Sequence, residues 1–166
     1  MTTVTFKGNP VHLEGNFPKV GSKAPAFTLV DSELQNKLLK DFEKSPKLLL
    51  IVPSLETSVC ATCAREFNKK LTDFPSLQLL VISADLPFAQ KRYAAGENMN
   101  DRVIFLSMMR DKSFAKDYGV FISEGPLAGL CSRAVLLLSP DHTVLHAELV
   151  SEITKEPSYE KAFQAL

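Results

Sequence analysis

The sequence predicts an α/β fold in which helices flank a mixed central sheet. Three observations carry the prediction. Apolar runs of strand length at 47–52, 77–82 and 103–106 are separated by segments of helical character, as parallel strands joined by crossover helices require. The stretch 54–73, directly after the first run, is amphipathic with helical spacing. Two later apolar segments, 134–138 and 143–149, flank the turn Ser139, Pro140, Asp141, His142 and append an antiparallel hairpin.

At the N-terminus, 3–6 and 11–13 flank the turn residues Gly8, Asn9 and Pro10 and read as a small β-hairpin. Residues 27–30 make a short strand, and 38–42 have helix-turn character at most. KLLLIV at 47–52, bounded by Pro46 and Pro53, is apolar almost throughout, as in a strand buried on both faces. Within 54–73, Val59, Cys63, Phe67 and Leu71 recur every four residues, with Arg65, Glu66, Lys69 and Lys70 between them. This is a helix with Cys60 in its first turn. LQLLVI at 77–82 is a second buried strand, which SADLPF at 83–88 breaks into a loop before a short helix around 89–93. A third strand covers 103–106, and a short helix at 113–118 stops before Gly119. Pro157 and the spacing Tyr159, Ala162, Phe163, Leu166 predict a terminal helix. The resulting order is compatible with a thioredoxin-like layout and with other α/β topologies, so the residues that carry chemistry must decide.

A chain of 166 residues suffices for one domain with a complete core, and residues 1–166 are read as one unit. Nineteen basic residues balance nineteen acidic ones, which leaves no bulk charge to hold nucleic acid or an anionic membrane. The start MTTVTFKGNP lacks the basic and apolar regions of a leader, and no segment approaches the ~18 apolar residues of a membrane span. A cytoplasmic location is expected. Three cysteines are too few, and odd in number, for a secreted disulfide framework. Cys60, Cys63 and Cys131 are therefore reactive, metal-binding or buried thiols.

Two of them lie in PSLETSVCATC at 53–63. A thiol of pKa ~8.5 is only about 3% thiolate at pH 7, and lowering the pKa to about 6 raises that to about 90%. Acceleration beyond that thirtyfold gain must come from groups that stabilise the transition state, each tenfold needing about 1.4 kcal/mol. The stretch supplies such groups. Pro53 turns the chain out of the strand and shields the site, and free N–H groups of the first helical turn favour an anion. Thr57 shares a face with Cys60 if that turn is helical. Arg133 interrupts the apolar string CSRAVLLL, where an unpaired guanidinium is costly, and the Cys60 thiolate is a suitable partner. Taken alone, the Cys60/Cys63 pair also fits thiol–disulfide exchange, redox sensing or half of a zinc site. Zinc needs two more ligands, and Cys131, His12, His142 and His146 offer no paired spacing, so no metal is expected.

PxxxTxxC at Pro53, Thr57 and Cys60 is similar to the active-site pattern of the peroxiredoxins. The longer strings PSLETSVC (53–60), SADLPFAQ (83–90), YGV (118–120), GPLAGL (125–130), SRAV (132–135) and EITKEPSYE (152–160) resemble the thiol peroxidase subgroup of bacterial peroxiredoxins. KGNPV at 7–11 and GSKAPAFTLV at 21–30 extend the resemblance over nearly the whole chain. It implies a thioredoxin-like fold with an added N-terminal hairpin, usually a homodimer, that reduces hydrogen peroxide and organic hydroperoxides without a cofactor. Thioredoxin or another thiol is the implied reductant. By the same resemblance Cys60 is the peroxidatic cysteine, Thr57 hydrogen-bonds the peroxide, Pro53 shields the site and Arg133 activates the thiolate, which becomes a sulfenic acid.

One segment departs from the pattern. Familiar members of the subgroup carry a resolving cysteine in an RFCGAEG-like segment. Here the segment reads RYAAGENMN, with Ala94 in that place, so the usual disulfide cannot form. Three routes stay open, in the order Cys63, an external thiol, Cys131. Side chains three apart on a helix have Cβ atoms about 5–6 Å apart, whereas a disulfide needs about 3.5–4.5 Å, so a Cys60–Cys63 bond requires the first turn to distort. Cys131 lies two residues before Arg133 and shares its face if 131–135 are extended. Each residue also has a plainer reading: Cys63 as part of the apolar stripe, Cys131 as a small buried hydrophobe, Thr57 as an N-cap. Phe88, Met108, Met109 and Phe121 read as core or dimer-contact residues, and the histidines receive no role.

Overall fold

The computed structural model describes residues 2–166. Strands β1 (Thr2–Phe6) and β2 (Asn9–Glu14) form the N-terminal hairpin. β3 (Thr28–Val30) and β4 (Asn36–Leu38) precede one 3-10 turn at Leu39–Phe42. There follow β5 (Lys47–Ile51), α1 (Ser58–Lys70), β6 (Gln78–Ser83), α2 (Pro87–Ala95) and β7 (Val103–Ser107). The chain continues through α3 (Ser113–Asp117), β8 (Phe121–Ile122), β9 (Ala134–Leu138), β10 (Val144–Leu149) and α4 (Tyr159–Gln164). The main sheet has the order β10-β9-β5-β6-β7-β3-β4, and β1-β2-β8 make a small separate sheet. β5, β6 and β7 run parallel, and the remaining pairs are antiparallel, so the sheet is mixed as expected.

β5 is central, hydrogen-bonded to β6 on one side and β9 on the other, which explains its apolar composition. Its side chains alternate between two cores. Leu48 and Leu50 pack with Cys60, Cys63, Phe67, Val135 and Phe163 beneath α1 and α4. Leu49 and Ile51 pack on the opposite face with Leu80, Met108, Tyr118 and Cys131. Fully burying each such leucine stabilises the fold by about 1.5–3 kcal/mol. A third, small core of Val4, Leu13, Ile122 and Ile153 fixes the hairpin to the body. The first residue of β5 breaks the pattern. Lys47 is fully buried, and its ammonium donates to the carbonyls of Phe42, Ser45 and Pro140 at 3.0, 3.3 and 3.1 Å.

Several sequence expectations need correction. The helix expected from residue 54 begins at Ser58, because 54–57 form a turn closed by the Thr57 amide donating to Ser54 O at 3.2 Å. Its buried stripe comprises Cys60, Cys63, Ala64 and Phe67, and Val59 lies at the edge, half-buried. β4 and β8 are three and two residues long, too short for an alternation signal. Phe88 is 65% exposed and Met109 38%, whereas Met108 is buried, so those apolar residues divide between surface and core. Among the described residues no helix is long and apolar enough to cross a membrane.

Candidate active site

β5 ends at Ile51 and delivers Val52 and Pro53, both buried, to the edge of a turn. Asp85, from the SADLPF loop after β6, holds that turn. Its carboxylate accepts from the Ser54 hydroxyl at 2.6 Å, the Leu55 amide at 2.8 Å and the Ser83 hydroxyl at 2.8 Å. Gln90 of α2 extends the network by donating to Ser83 Oγ at 3.1 Å and Leu106 O at 2.9 Å. The loop that looked like a strand breaker is therefore the support of the turn before α1.

Thr57 is the N-cap of α1, with extended backbone (φ −96°, ψ 145°), and its hydroxyl donates to Ser54 O at 3.0 Å. Thr57 is exposed, whereas Cys60 beneath it is fully buried. The premise that the two share a helical face therefore fails, since Thr57 precedes the helical backbone. The first α-helical bond, Ala61 N to Thr57 O at 3.1 Å, starts after Cys60. The N–H groups of Ser58, Val59 and Cys60 thus belong to the positive end of α1, where they have no partner within the helix.

Arg133 is 2% exposed and reaches this point from the strand side. Nη1 donates to Cys60 Sγ at 3.3 Å and to Cys63 Sγ at 3.7 Å. Nε and Nη2 both donate to Ile153 O, at 3.2 and 3.0 Å. One carbonyl thus fixes the guanidinium plane, and the remaining nitrogen faces two sulfurs. Burial pushes the Cys63 thiol upward, with the nearby guanidinium partly offsetting it. All three cysteines are free thiols. A cleft of about 160 Å³, lined by Pro53, Thr57, Val59, Leu127, Arg133 and Ile153 among others, opens beside the guanidinium.

Cys131 does not join them. β9 begins only at Ala134, and Cys131 forms an isolated bridge with Phe121, so the alternation that would align it with Arg133 is broken. It packs in the core on the opposite face of the sheet, its Sγ 3.6 Å from Met108 Sδ, where burial raises its thiol pKa strongly. Ala94 packs half-buried against the Cys60 core. The adjacent Tyr93 donates its hydroxyl to Ala61 O at 3.0 Å and so ties α2 to the first turn of α1. Among the described residues no cluster of His, Cys, Asp and Glu could hold a metal ion. The sequence reading missed Asp85, Ile153 and Tyr93. SADLPF and EITKEPSYE contain the first two as motif residues, but nothing local to them assigns their partners.

Residues 19–163 match the Redoxin family. Thiol peroxidases of two Leptospira interrogans strains, serovars copenhageni and Lai, are each 47% identical to this chain over 166 residues, covering 99% of it and 97% of the relative. The crystal structure of a peroxiredoxin-like protein from Aquifex aeolicus superposes with a TM-score of 0.90 at 36% identity, covering 100% of this chain and 98% of that one. A thiol peroxidase from Chromobacterium violaceum superposes with a TM-score of 0.91 at 27% identity, covering 98% and 93%. The thioredoxin-like layout of a mixed sheet with flanking helices is thus common to this chain and these structures.

Proposed function

Since the chain belongs to the redoxin family, we propose that Cys60 is its peroxidatic nucleophile, with Arg133, Pro53 and Thr57 in support. The activity is thiol-dependent reduction of hydroperoxides. The observation that carries the assignment of residues is the 3.3 Å contact from Arg133 Nη1 to Cys60 Sγ at the N-terminus of α1.

In the first step the Cys60 thiolate attacks the terminal oxygen of the hydroperoxide. An S–O bond forms as the O–O bond breaks, and the alkoxide or hydroxide leaves with the bonding pair and takes a proton from water. The sulfur is oxidised by two electrons to sulfenic acid, and the peroxide is reduced to alcohol or water. Arg133 is permanently charged, so it holds the thiolate and draws off charge on the peroxide oxygens as the bond breaks. Pro53 keeps water from the site. Thr57, on the rim of the cleft, is placed to donate to an incoming peroxide once its hydroxyl leaves Ser54 O. The largely apolar lining supports organic hydroperoxides alongside hydrogen peroxide as substrates.

For the second step we propose Cys63 as the resolving thiol. Condensation with the sulfenic acid releases water and leaves a disulfide, which two thiols of an external reductant, thioredoxin or another, return to the reduced state. Support comes from Arg133 Nη1, which both sulfurs share. An external thiol ranks second, and the burial of Cys131 across the sheet leaves it last. A homodimer is proposed from the family, with Leu86, Phe88 and Met109, large apolar side chains left at the surface, as candidate contact residues. The cytoplasm, where thiol reductants are kept reduced, is the proposed location. The test of the nucleophile is a Cys60→Ser variant, expected to lose hydroperoxide consumption; consumption at the parent rate would sink the assignment.

A further inference from the structure

The Arg133 guanidinium is oriented by a single main-chain oxygen, Ile153 O, which accepts from both Nε and Nη2. Residue 153 lies outside the named strands and helices, between β10 and α4; its side chain packs in the small core with Val4, Leu13 and Ile122, and its neighbour Glu152 forms an isolated β-bridge with Thr5, but the orientation of its peptide is set by hydrogen bonds. These form two sets. The first is main chain: Thr5 N donates to Ser151 O and Ile153 N donates to Thr5 O, each at 2.8 Å. The second converges on one carboxylate. Glu152 accepts from the Lys7 amide at 3.0 Å, the Gly8 amide at 3.1 Å, the Thr5 hydroxyl at 2.7 Å, and the Thr154 amide and hydroxyl at 3.1 and 2.7 Å.

The hairpin turn has the backbone form needed to make these contacts. Lys7 and Gly8 both have positive φ, 51° and 80°, the combination of a two-residue type I′ turn. That conformation strains a lysine. Here it turns two successive amides onto Glu152. An ionised carboxylate offers about four acceptor sites on its two oxygens and no donor, which suits a ring made only of donors, whereas a glutamine would point an NH2 group at some of them. The Thr5 and Thr154 hydroxyls hold the carboxyl well below the usual range, so this set persists at neutral and mildly acidic pH.

We propose that Glu152 is a positioning residue for the peroxidase reaction: it clamps the peptide that carries Ile153 O to the hairpin turn, and that carbonyl sets the Arg133 guanidinium against Cys60. This rests on the reading of Arg133 as the activator of Cys60. The hairpin then has a catalytic consequence although no atom of its turn touches the sulfur.

The test uses the full chain with Glu152→Gln, Glu152→Asp, Arg133→Lys and the double variant Glu152→Gln/Arg133→Lys. Two readouts are taken: the second-order rate constant with hydrogen peroxide, and the pH profile of Cys60 alkylation by iodoacetamide, followed by mass spectrometry. Glu152→Gln is expected to move the alkylation profile to higher pH by about one unit and to lower the peroxide rate at neutral pH about tenfold. Glu152→Asp should recover part of both. The double variant should fall no further than Arg133→Lys alone, because both changes act through one group. A Glu152→Gln protein that melts earlier but keeps both the alkylation profile and the peroxide rate would overturn the inference, leaving Glu152 an anchor of the hairpin only. Should that variant fail to fold, Thr154→Val, which removes one hydroxyl donor from the carboxylate, is read the same way. A smaller shift in the same direction supports the proposal, and no shift overturns it. An Arg133→Lys protein with the parent rate would instead remove the reading of Arg133 itself, an outcome distinct from the failure of Glu152 alone.

Discussion

Arg133 shows how one buried cation can be both affordable and useful. A guanidinium in an apolar layer is costly unless each of its nitrogens finds an acceptor, and here Nε and Nη2 donate to Ile153 O while Nη1 donates to both sulfurs. Lysine has one nitrogen and no planar fork, so it cannot hold the carbonyl and the sulfur in this geometry. Arg133→Lys is therefore expected to lower kcat/KM for hydroperoxide about 10²-fold, as loss of one preorganised donor does elsewhere, with the fold retained by circular dichroism. A stopped-flow rate equal to the parent's would contradict it. Cys63 calls for a different experiment. Cys63→Ser should leave the first reduction of peroxide unchanged but let the sulfenic acid on Cys60 persist, detectable by dimedone trapping and mass spectrometry. The parent protein should instead yield a Cys60–Cys63 disulfide. A disulfide-free parent with a mixed disulfide on Cys60 would assign resolution to an external thiol. The need of Arg133 for an anion was legible in CSRAVLLL, but its second partner was not, because a main-chain carbonyl has no side-chain signature.

The elements divide into those whose pattern is local and those whose pattern is not. β5, β6, β7 and α1 were readable because their apolar spacing is long enough to exceed chance. β4 and β8 exist only because neighbouring strands pair with them, so nothing in two or three residues announces them. The start of α1 was misplaced for a related reason. Ser54, Thr57 and Ser58 are all acceptable N-caps, and the choice among them is made by Asp85, which lies 31 residues from Ser54. The site at the head of α1 thus depends on a loop carboxylate as well as on its own motif. Asp85→Asn keeps the shape but replaces one acceptor oxygen with a donor that faces the Leu55 amide or a hydroxyl. The expected cost is about 1–3 kcal/mol of stability, from leaving a part-buried donor unmet, together with slower reaction at Cys60. Urea unfolding and peroxide kinetics on one preparation measure both. A loss of stability with no loss of rate would show that the turn tolerates a change in its support.

At the scale of the whole molecule, the titrating groups predict how stability should vary with pH. Cys63 and Cys131 are buried as neutral thiols, and burial raises both pKa values above that of an unfolded thiol. Tyr93, raised to about 12 by burial, follows in the same sense at higher pH. A group whose folded pKa is raised contributes fully below the unfolded pKa and loses that contribution as pH climbs toward the folded one. Each buried thiol therefore removes up to about 1.4 kcal/mol per pH unit once pH exceeds the unfolded thiol value of about 8.5, and the tyrosine does so only above about 10. Lys47 acts in the opposite direction. Burial lowers it to about 8, so the unfolded chain binds the extra proton between that value and the ordinary lysine range, and stability gains there. The Cys131 and Lys47 contributions oppose each other over this range, and Cys63 adds to the loss, so the net expectation is a decline in the urea midpoint from pH 8 to pH 10. Cys131→Ala separates the terms. It removes the thiol farther from the reaction centre, across the sheet from Cys60, and should flatten the decline while lowering stability at neutral pH through lost packing. Urea titrations of both proteins under reducing conditions supply the comparison. Parallel curves would show that the Cys131 thiol does not titrate against folding, and that the alkaline limb belongs to Cys63 and Tyr93.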